Sequence, residues 1–326
     1  MKKIPVILIV LYMVFLNHPT CSKATTDMFT YEKMKDHLVM LSDKHDLEMK
    51  SIGQSELGRE IFAVKIGKGK KNVLITGSHH GREWLTTHII MEMIKEYASA
   101  YNKKYSLYGH SLNILDHVSI WFVPMVNPDG VTIQQKGVKH LPLGLQEVYV
   151  VMNNGESNFK RWKANGVGVD LNRQYPAGWE AIKGDSNYAS YSHYKGENPF
   201  SAKETKSLLT FTEEIMPLAS IAYHTSGREI FWYYYNQVEN LHRDYQLAEM
   251  VSDVTGYKIS YPPSDAVGGG YTDWFIQCYQ KPAMTIELSY LVKETNPPLS
   301  IFNEEWNRNK TIGLILAEYA KKHVDN

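Results

Sequence analysis

Short apolar runs, each closed by a turn signal and followed by a segment of helical period, recur along this chain. Residues 60–66 alternate in polarity after Leu57-Gly58, and residues 72–76 (NVLIT) are stopped by Gly77. Residues 118–123, 218–223, 230–234 and 283–288 are further strand-like runs. Leu85, Ile89, Met93 and Tyr97 fall four apart, so a helix over 85–97 has one apolar face. Ser201 with Glu204 reads as a capping box opening a helix over 201–215. Helices are also expected over 241–254 and 304–321, and Asn127-Pro128-Asp129-Gly130 reads as a turn. Strands that are apolar on both sides need cover on both sides. The expected fold is therefore α/β: a mixed, largely parallel β-sheet flanked by helices on both faces. The stretch 134–194 is long, polar and rich in Gly and Asn, and a loop of that length in a compact domain usually carries function.

The chain has 326 residues, 43% of them hydrophobic and 21% charged, which is enough for a packed core. Its start is set apart. Met1-Lys2-Lys3 is basic, residues 4–16 carry no charge, and the polar stretch 17–24 ends in Ser22-Lys23-Ala24. This is the layout of a secretory signal peptide over residues 1–24, too short for a membrane span. An uncleaved anchor and a lipid-modified Cys21 are the alternatives. Export to the extracellular space or the cell wall is expected, with one domain over residues 25–326 and no stable membrane partner once the signal is removed. Thirty-five basic side chains balance thirty-five acidic ones, which gives no basic patch for nucleic acid. Two cysteines, Cys21 and Cys278, cannot build a disulfide framework, and Cys278 lies in an apolar stretch where a buried thiol is expected.

The chemistry begins at Gly77-Ser78-His79-His80-Gly81-Arg82-Glu83-Trp84, where a strand passes into a helix. Ligands bind at such crossings in α/β sheets. His80 and Glu83 are both good zinc donors, and a catalytic zinc takes three protein ligands and keeps one position open. A lone His-x-x-Glu pair is weak evidence. His224, at the C-terminal edge of the 218–223 strand, is the candidate third ligand.

With these residues in view, the chain resembles the zinc carboxypeptidase family, to which pancreatic carboxypeptidase A belongs. The resemblance is carried by His80-Gly81-Arg82-Glu83-Trp84, Pro124-Met125-Val126-Asn127-Pro128-Asp129-Gly130, Gly168-Val169-Asp170-Leu171-Asn172-Arg173, Pro199-Phe200-Ser201, Ala222-Tyr223-His224-Thr225 and Thr285-Ile286-Glu287-Leu288. It implies that His80, Glu83 and His224 hold Zn²⁺. It also implies that Glu287 is the general base, and that Asn172 and Arg173 bind the carboxylate of a peptide substrate. Asp170 would order the loop rather than catalyse.

Two departures stand out. Where the family places an oxyanion arginine after a Trp, Lys163 follows Trp162, with Arg161 just before it. Where the digestive enzymes carry a mobile tyrosine stands Asp265, and the specificity position before Asp273 is the small, polar Thr272. The runs 162–165, 170–179, 224–227 and 268–274 resemble bacterial γ-D-glutamyl-diamino-acid peptidases, which cleave the γ-D-Glu–diaminopimelate (or Lys) bond of cell-wall muropeptides. The added charges of such a substrate would meet Asp265, Arg228 or Glu229. Three alternatives stay open: a general metallocarboxypeptidase, a zinc amidase or deacylase of the same fold, and a non-catalytic binding protein.

Overall fold

The computed structural model describes residues 28–183, 186–264 and 266–324. The expected signal peptide and Asp265 lie outside these residues. In chain order the elements are α1 (Tyr31–His45), β1 (Glu48–Gln54), β2 (Glu60–Ile66), β3 (Lys71–Thr76), α2 (Leu85–Asn102), β4 (Val118–Val123), α3 (Pro128–Lys136), α4 (Leu143–Met152) and α5 (Lys203–Ile215). They continue with β5 (Ser220–Thr225), β6 (Glu229–Phe231), α6 (Val238–Thr255), β7 (Lys258–Ser260), α7 (Tyr271–Tyr279), β8 (Ala283–Leu288), α8 (Phe302–Asn309) and α9 (Ile312–His323).

One eight-stranded sheet runs β1-β2-β4-β3-β5-β8-β6-β7. The centre, β4-β3-β5-β8, is parallel, as is β6-β7, while β1-β2, β2-β4 and β8-β6 are antiparallel. Alternation along β3 shows how the two faces are covered. Val73 and Ile75 pack with Leu85, Ile89, Met93 and Tyr97 of α2 and with Leu314 and Leu316 of α9. Leu74 packs with Leu208 and Phe211 of α5 and with Tyr271 and Phe275 of α7. Every residue of β4 is buried, as a strand covered on both faces must be. The fold is the expected one. Among the described residues no helix is long and apolar enough to cross a membrane.

Several local expectations give way. Asn127-Pro128-Asp129-Gly130 opens α3 rather than a turn: Asn127 is the N-cap, its side chain accepting from Gly130 N at 2.8 Å, and Pro128 supplies a preset φ. The Ser201 capping box does not form. α5 starts two residues later, and Ser201 Oγ instead donates to Gln174 Oε1 at 3.1 Å. Glu204 is drawn inward, accepting from Glu56 N and Asn165 Nδ2 at 3.1 Å each. The stretch 134–194 contains the end of α3 and all of α4, and the closing helix is two, α8 and α9, divided at Lys310-Thr311. Cys278 is exposed on α7, not buried.

Candidate metal centre and active site

The loop between β3 and α2 reverses sharply to bring its side chains inward. Ser78 adopts φ +48 and is held there by Ser78 N donating to Thr86 Oγ1 at 2.8 Å and by Ser78 Oγ against Thr87 Oγ1 at 2.8 Å. Gly81 passes so close to the backbone of Gly130 that a Cβ would stand 2.5 Å from it, so no larger residue fits without displacement. Asn127 Nδ2 ties down His79 O at 3.0 Å and Ala164 O at 3.1 Å. This turn aims His80 and Glu83 at His224, on the neighbouring strand β5.

His80 Nδ1 lies 2.8 Å from Glu83 Oε1, and His224 Nδ1 lies 3.0 Å from Glu83 Oε2. The two Nδ1 atoms are 3.2 Å apart. All three side chains are buried, and their ligand atoms lie within 4.8 Å of one another. Two nitrogens on a tetrahedral zinc, with Zn–N of about 2.0–2.1 Å, stand about 3.4 Å apart, so the donor set fits that ion. Burial works against charge on Glu83, but the two imidazoles outweigh it and hold the carboxyl well below its usual range. Burial also lowers His224, favouring the neutral imidazole that a metal requires.

Asp170 binds this centre to the loop behind it. Its Oδ1 is 3.2 Å from His80 Nε2 and its Oδ2 is 2.8 Å from Lys163 Nζ. It also accepts from Asn172 N at 3.1 Å and His193 N at 3.2 Å. Burial would raise its pKa, but Lys163 and His80 pull it well below the usual range. The loop-ordering role read from sequence is present, and a brace on His80 is added to it. The sequence signal was an acid two positions before the Asn-Arg pair.

Glu287 stands on β8 directly across the parallel ladder from His224. Burial pushes its pKa well up, with repulsion from Glu83 adding to the shift. Among the described residues its buried Oε2 has no hydrogen-bond partner. Asn172 and Arg173 lie in a short 3-10 turn. Asn172 Oδ1 accepts from Tyr271 N at 3.1 Å, leaving the NH2 end for the cavity, and Arg173 is buried with Nη1 donating to Asn172 O at 3.2 Å. Thr272 Oγ1 is 3.0 Å from Thr285 Oγ1, and both are buried.

These residues meet in one cavity of about 210 Å³, which His80, Glu83, Lys163, Asn172, Arg173, His224, Thr272 and Glu287 all line. Arg161 is engaged elsewhere: its guanidinium stacks 4.2 Å from the Tyr191 ring and bonds to Asn153. Of the charges weighed for substrate recognition, Arg228 is committed to Glu304 at 2.7 Å and Glu305 at 2.6 Å. Thr285, which also lines the cavity, had no separate signal in the sequence beyond its place beside Glu287.

A buried His-Glu-His set at the C-terminal edge of a parallel sheet, with a glutamate on the next strand that has no hydrogen-bond partner among the described residues, has the layout of a zinc hydrolase. The zinc carboxypeptidase family model matches residues 38–311, and the chain belongs to that family. It is a zinc metallopeptidase. Among curated relatives it is 33% identical over 296 residues, 89% of this chain and 72% of the other, to γ-D-glutamyl-L-diamino acid endopeptidase 1 of Lysinibacillus sphaericus. It is 31% identical to metallocarboxypeptidase A of Trichophyton rubrum over 219 residues, 64% of this chain and 46% of that one. Among solved structures, bovine thrombin-activatable fibrinolysis inhibitor in complex with tick carboxypeptidase inhibitor shares the fold with TM-score 0.73 at 18% identity, covering 92% of this chain and 99% of that one. The murein-tripeptide amidase MpaA of Escherichia coli O157 aligns with TM-score 0.51 at 17% identity, covering 82% and 91%.

Proposed function

We propose that this chain is an exported peptidase that hydrolyses the γ-D-glutamyl–diaminopimelate (or –lysine) bond of bacterial cell-wall peptides. The observation that carries the reading is the 33% identity, across 89% of the chain, to a relative named for that bond. Thr272 and Thr285 support it, because they present small polar side chains rather than an apolar wall to the cavity. Residues 1–24 act as the export signal. The partner is a muropeptide, not nucleic acid.

In this reading His80, Glu83 and His224 hold Zn²⁺. When bound, zinc polarises the scissile carbonyl and makes water acidic near neutral pH. Glu287 takes the proton of the attacking water and passes it to the leaving nitrogen. Arg173 and Asn172 grip a carboxylate of the leaving amino acid, a geometry that suits a planar guanidinium. Lys163, braced by Asp170, presents its ammonium to the oxygen on which charge develops. Thr272 lines the side-chain end.

The test is mass spectrometry of products from L-Ala-γ-D-Glu-diaminopimelate beside a hippuryl peptide ending in Phe. Release of diaminopimelate is expected, with kcat/KM about 100-fold above the hippuryl substrate. Equal values on both would reject the cell-wall reading and leave a general metallocarboxypeptidase. Turnover of neither, with zinc bound, would point to an amidase or deacylase.

A further inference from the structure

The ladder between β6 and β8 places a second carboxylate beside Glu287. Glu229 lies directly opposite Glu287, and Phe231 directly opposite Thr285. Residues opposite one another in an antiparallel pair share a face of the sheet, with Cβ atoms about 4.5–5.5 Å apart. Phe231, Thr285 and Glu287 line the cavity, and Glu229 shares their face of the sheet without itself forming part of the lining. It is half-buried. Ser260 Oγ donates to its Oε1 at 2.8 Å, and although Lys258 is its register partner on β7, among the described residues no cation stands within ion-pair distance of it. Its sequence neighbour Arg228 pairs with Glu304 and Glu305, and Lys163 pairs with Asp170.

A partly desolvated carboxylate without a cation is costly unless a ligand supplies one. The path across the cavity says where that cation would sit. Arg173 adjoins Asn172, which is bonded to Tyr271 N, and the next residue, Thr272, is bonded to Thr285. Thr285 faces Phe231 across the ladder, and Glu229 with Ser260 follows. A carboxylate clamp at one end and an uncompensated carboxylate at the other are joined by a floor of hydroxyls and one ring. We propose that Glu229, steadied by Ser260, is a specificity residue that pairs with the side-chain ammonium of the diamino acid on the leaving-amine side. This rests on the peptidase reading above and names the group that selects its substrate.

The test compares wild type, Glu229→Gln and Glu229→Asp on two substrate pairs, γ-D-Glu-L-Lys against γ-D-Glu-L-norleucine and hippuryl-Lys against hippuryl-norleucine. Wild type is expected to favour Lys by about 10-fold or more in kcat/KM, chiefly through KM, the scale of a charge-assisted hydrogen bond. Glu229→Gln should bring that ratio close to one, and Glu229→Asp, which keeps the charge but withdraws it, should fall between. A ratio taken within each variant cancels any effect of the substitution on the neighbouring Glu287. Calorimetry with free L-lysine and L-norleucine gives a readout without turnover: Glu229→Gln should weaken lysine about 10-fold and leave norleucine as it was. A lysine preference that survives in Glu229→Gln, in either measurement, overturns the inference. Failure of the cell-wall reading looks different. Cleavage would then be confined to the hippuryl pair, while the lysine preference would still depend on Glu229.

Discussion

His79 and His80 are adjacent in sequence and differ completely in surroundings. His80 Nδ1 faces Glu83 and His224, whereas His79 stacks 5.4 Å from the His224 ring, with both of its nitrogens buried and without a hydrogen-bond partner among the described residues. His224→Ala should lose stoichiometric zinc, because two ligands make a poor site, and His79→Ala should keep it. Zinc measured by atomic absorption after dialysis checks both, and retention by His224→Ala at wild-type affinity would remove His224 from the ligand set. Glu287→Gln preserves shape but cannot take a proton. Its turnover should fall about 10²- to 10⁴-fold with zinc content unchanged. A variant keeping more than about a tenth of wild-type turnover would move the base elsewhere. That His80, Glu83, His224 and Glu287 come together could be read in sequence because each sits in a short local motif at a strand end. The brace from Asp170 to His80 could not, since it joins residues about 90 positions apart that only the folded loop brings together.

At the level of elements, the expected strands over 60–66, 118–123 and 283–288 match β2, β4 and β8 residue for residue, because a strand with at least one covered face carries a recognisable apolar run. β1, with its charged and half-exposed pattern, and the three-residue β7 lie at the sheet edges and gave no such run. Ser201 and Glu204 fit a capping pattern locally, but Gln174 and Asn165 offered them partners from distant loops. α2 carries a pH-dependent contact. His88 Nε2 accepts from Phe29 N at 3.0 Å, fixing the chain ahead of α1, and burial, with the Lys33 charge, lowers its pKa to about 4. An unfolded histidine titrates near 6.5, so the unfolded state binds the extra proton first as pH falls. The stability this contact adds is fully present above about pH 6.5 and is lost toward pH 4, at up to about 1.4 kcal/mol per pH unit. Thermal melts at pH 7 and 4.5 should therefore differ more in wild type than in His88→Phe. Equal shifts in the two proteins would show that His88 stays neutral, or finds another partner, across that range.

The candidate metal centre draws on the whole molecule: His80 and Glu83 come from the β3–α2 loop, His224 from β5, and Glu287 from β8. A ligand that binds only the native state stabilises it by mass action, by about 2.7 kcal/mol at 100 times its Kd. Chelation should therefore lower Tm by several degrees in one cooperative transition, and added zinc should restore it. A melting curve indifferent to chelator would argue against a metal held by these three residues. The alternation of runs foretold a helix-covered sheet but not its strand order, since that order follows from long-range pairing that no local pattern records. That order also bears on how the protein is made. β5 and β8 are partners in space, yet Glu287 leaves the ribosome about 200 residues after Glu83, roughly 10–40 s later at 5–20 residues per second. For about the first 140 residues of that interval the His80–Glu83 pair lacks His224, and throughout it lacks Glu287. With Glu287 as the proposed base, hydrolytic competence switches on only as β8 takes its place between β5 and β6, so an unfinished chain is no hazard to the cell that is making it.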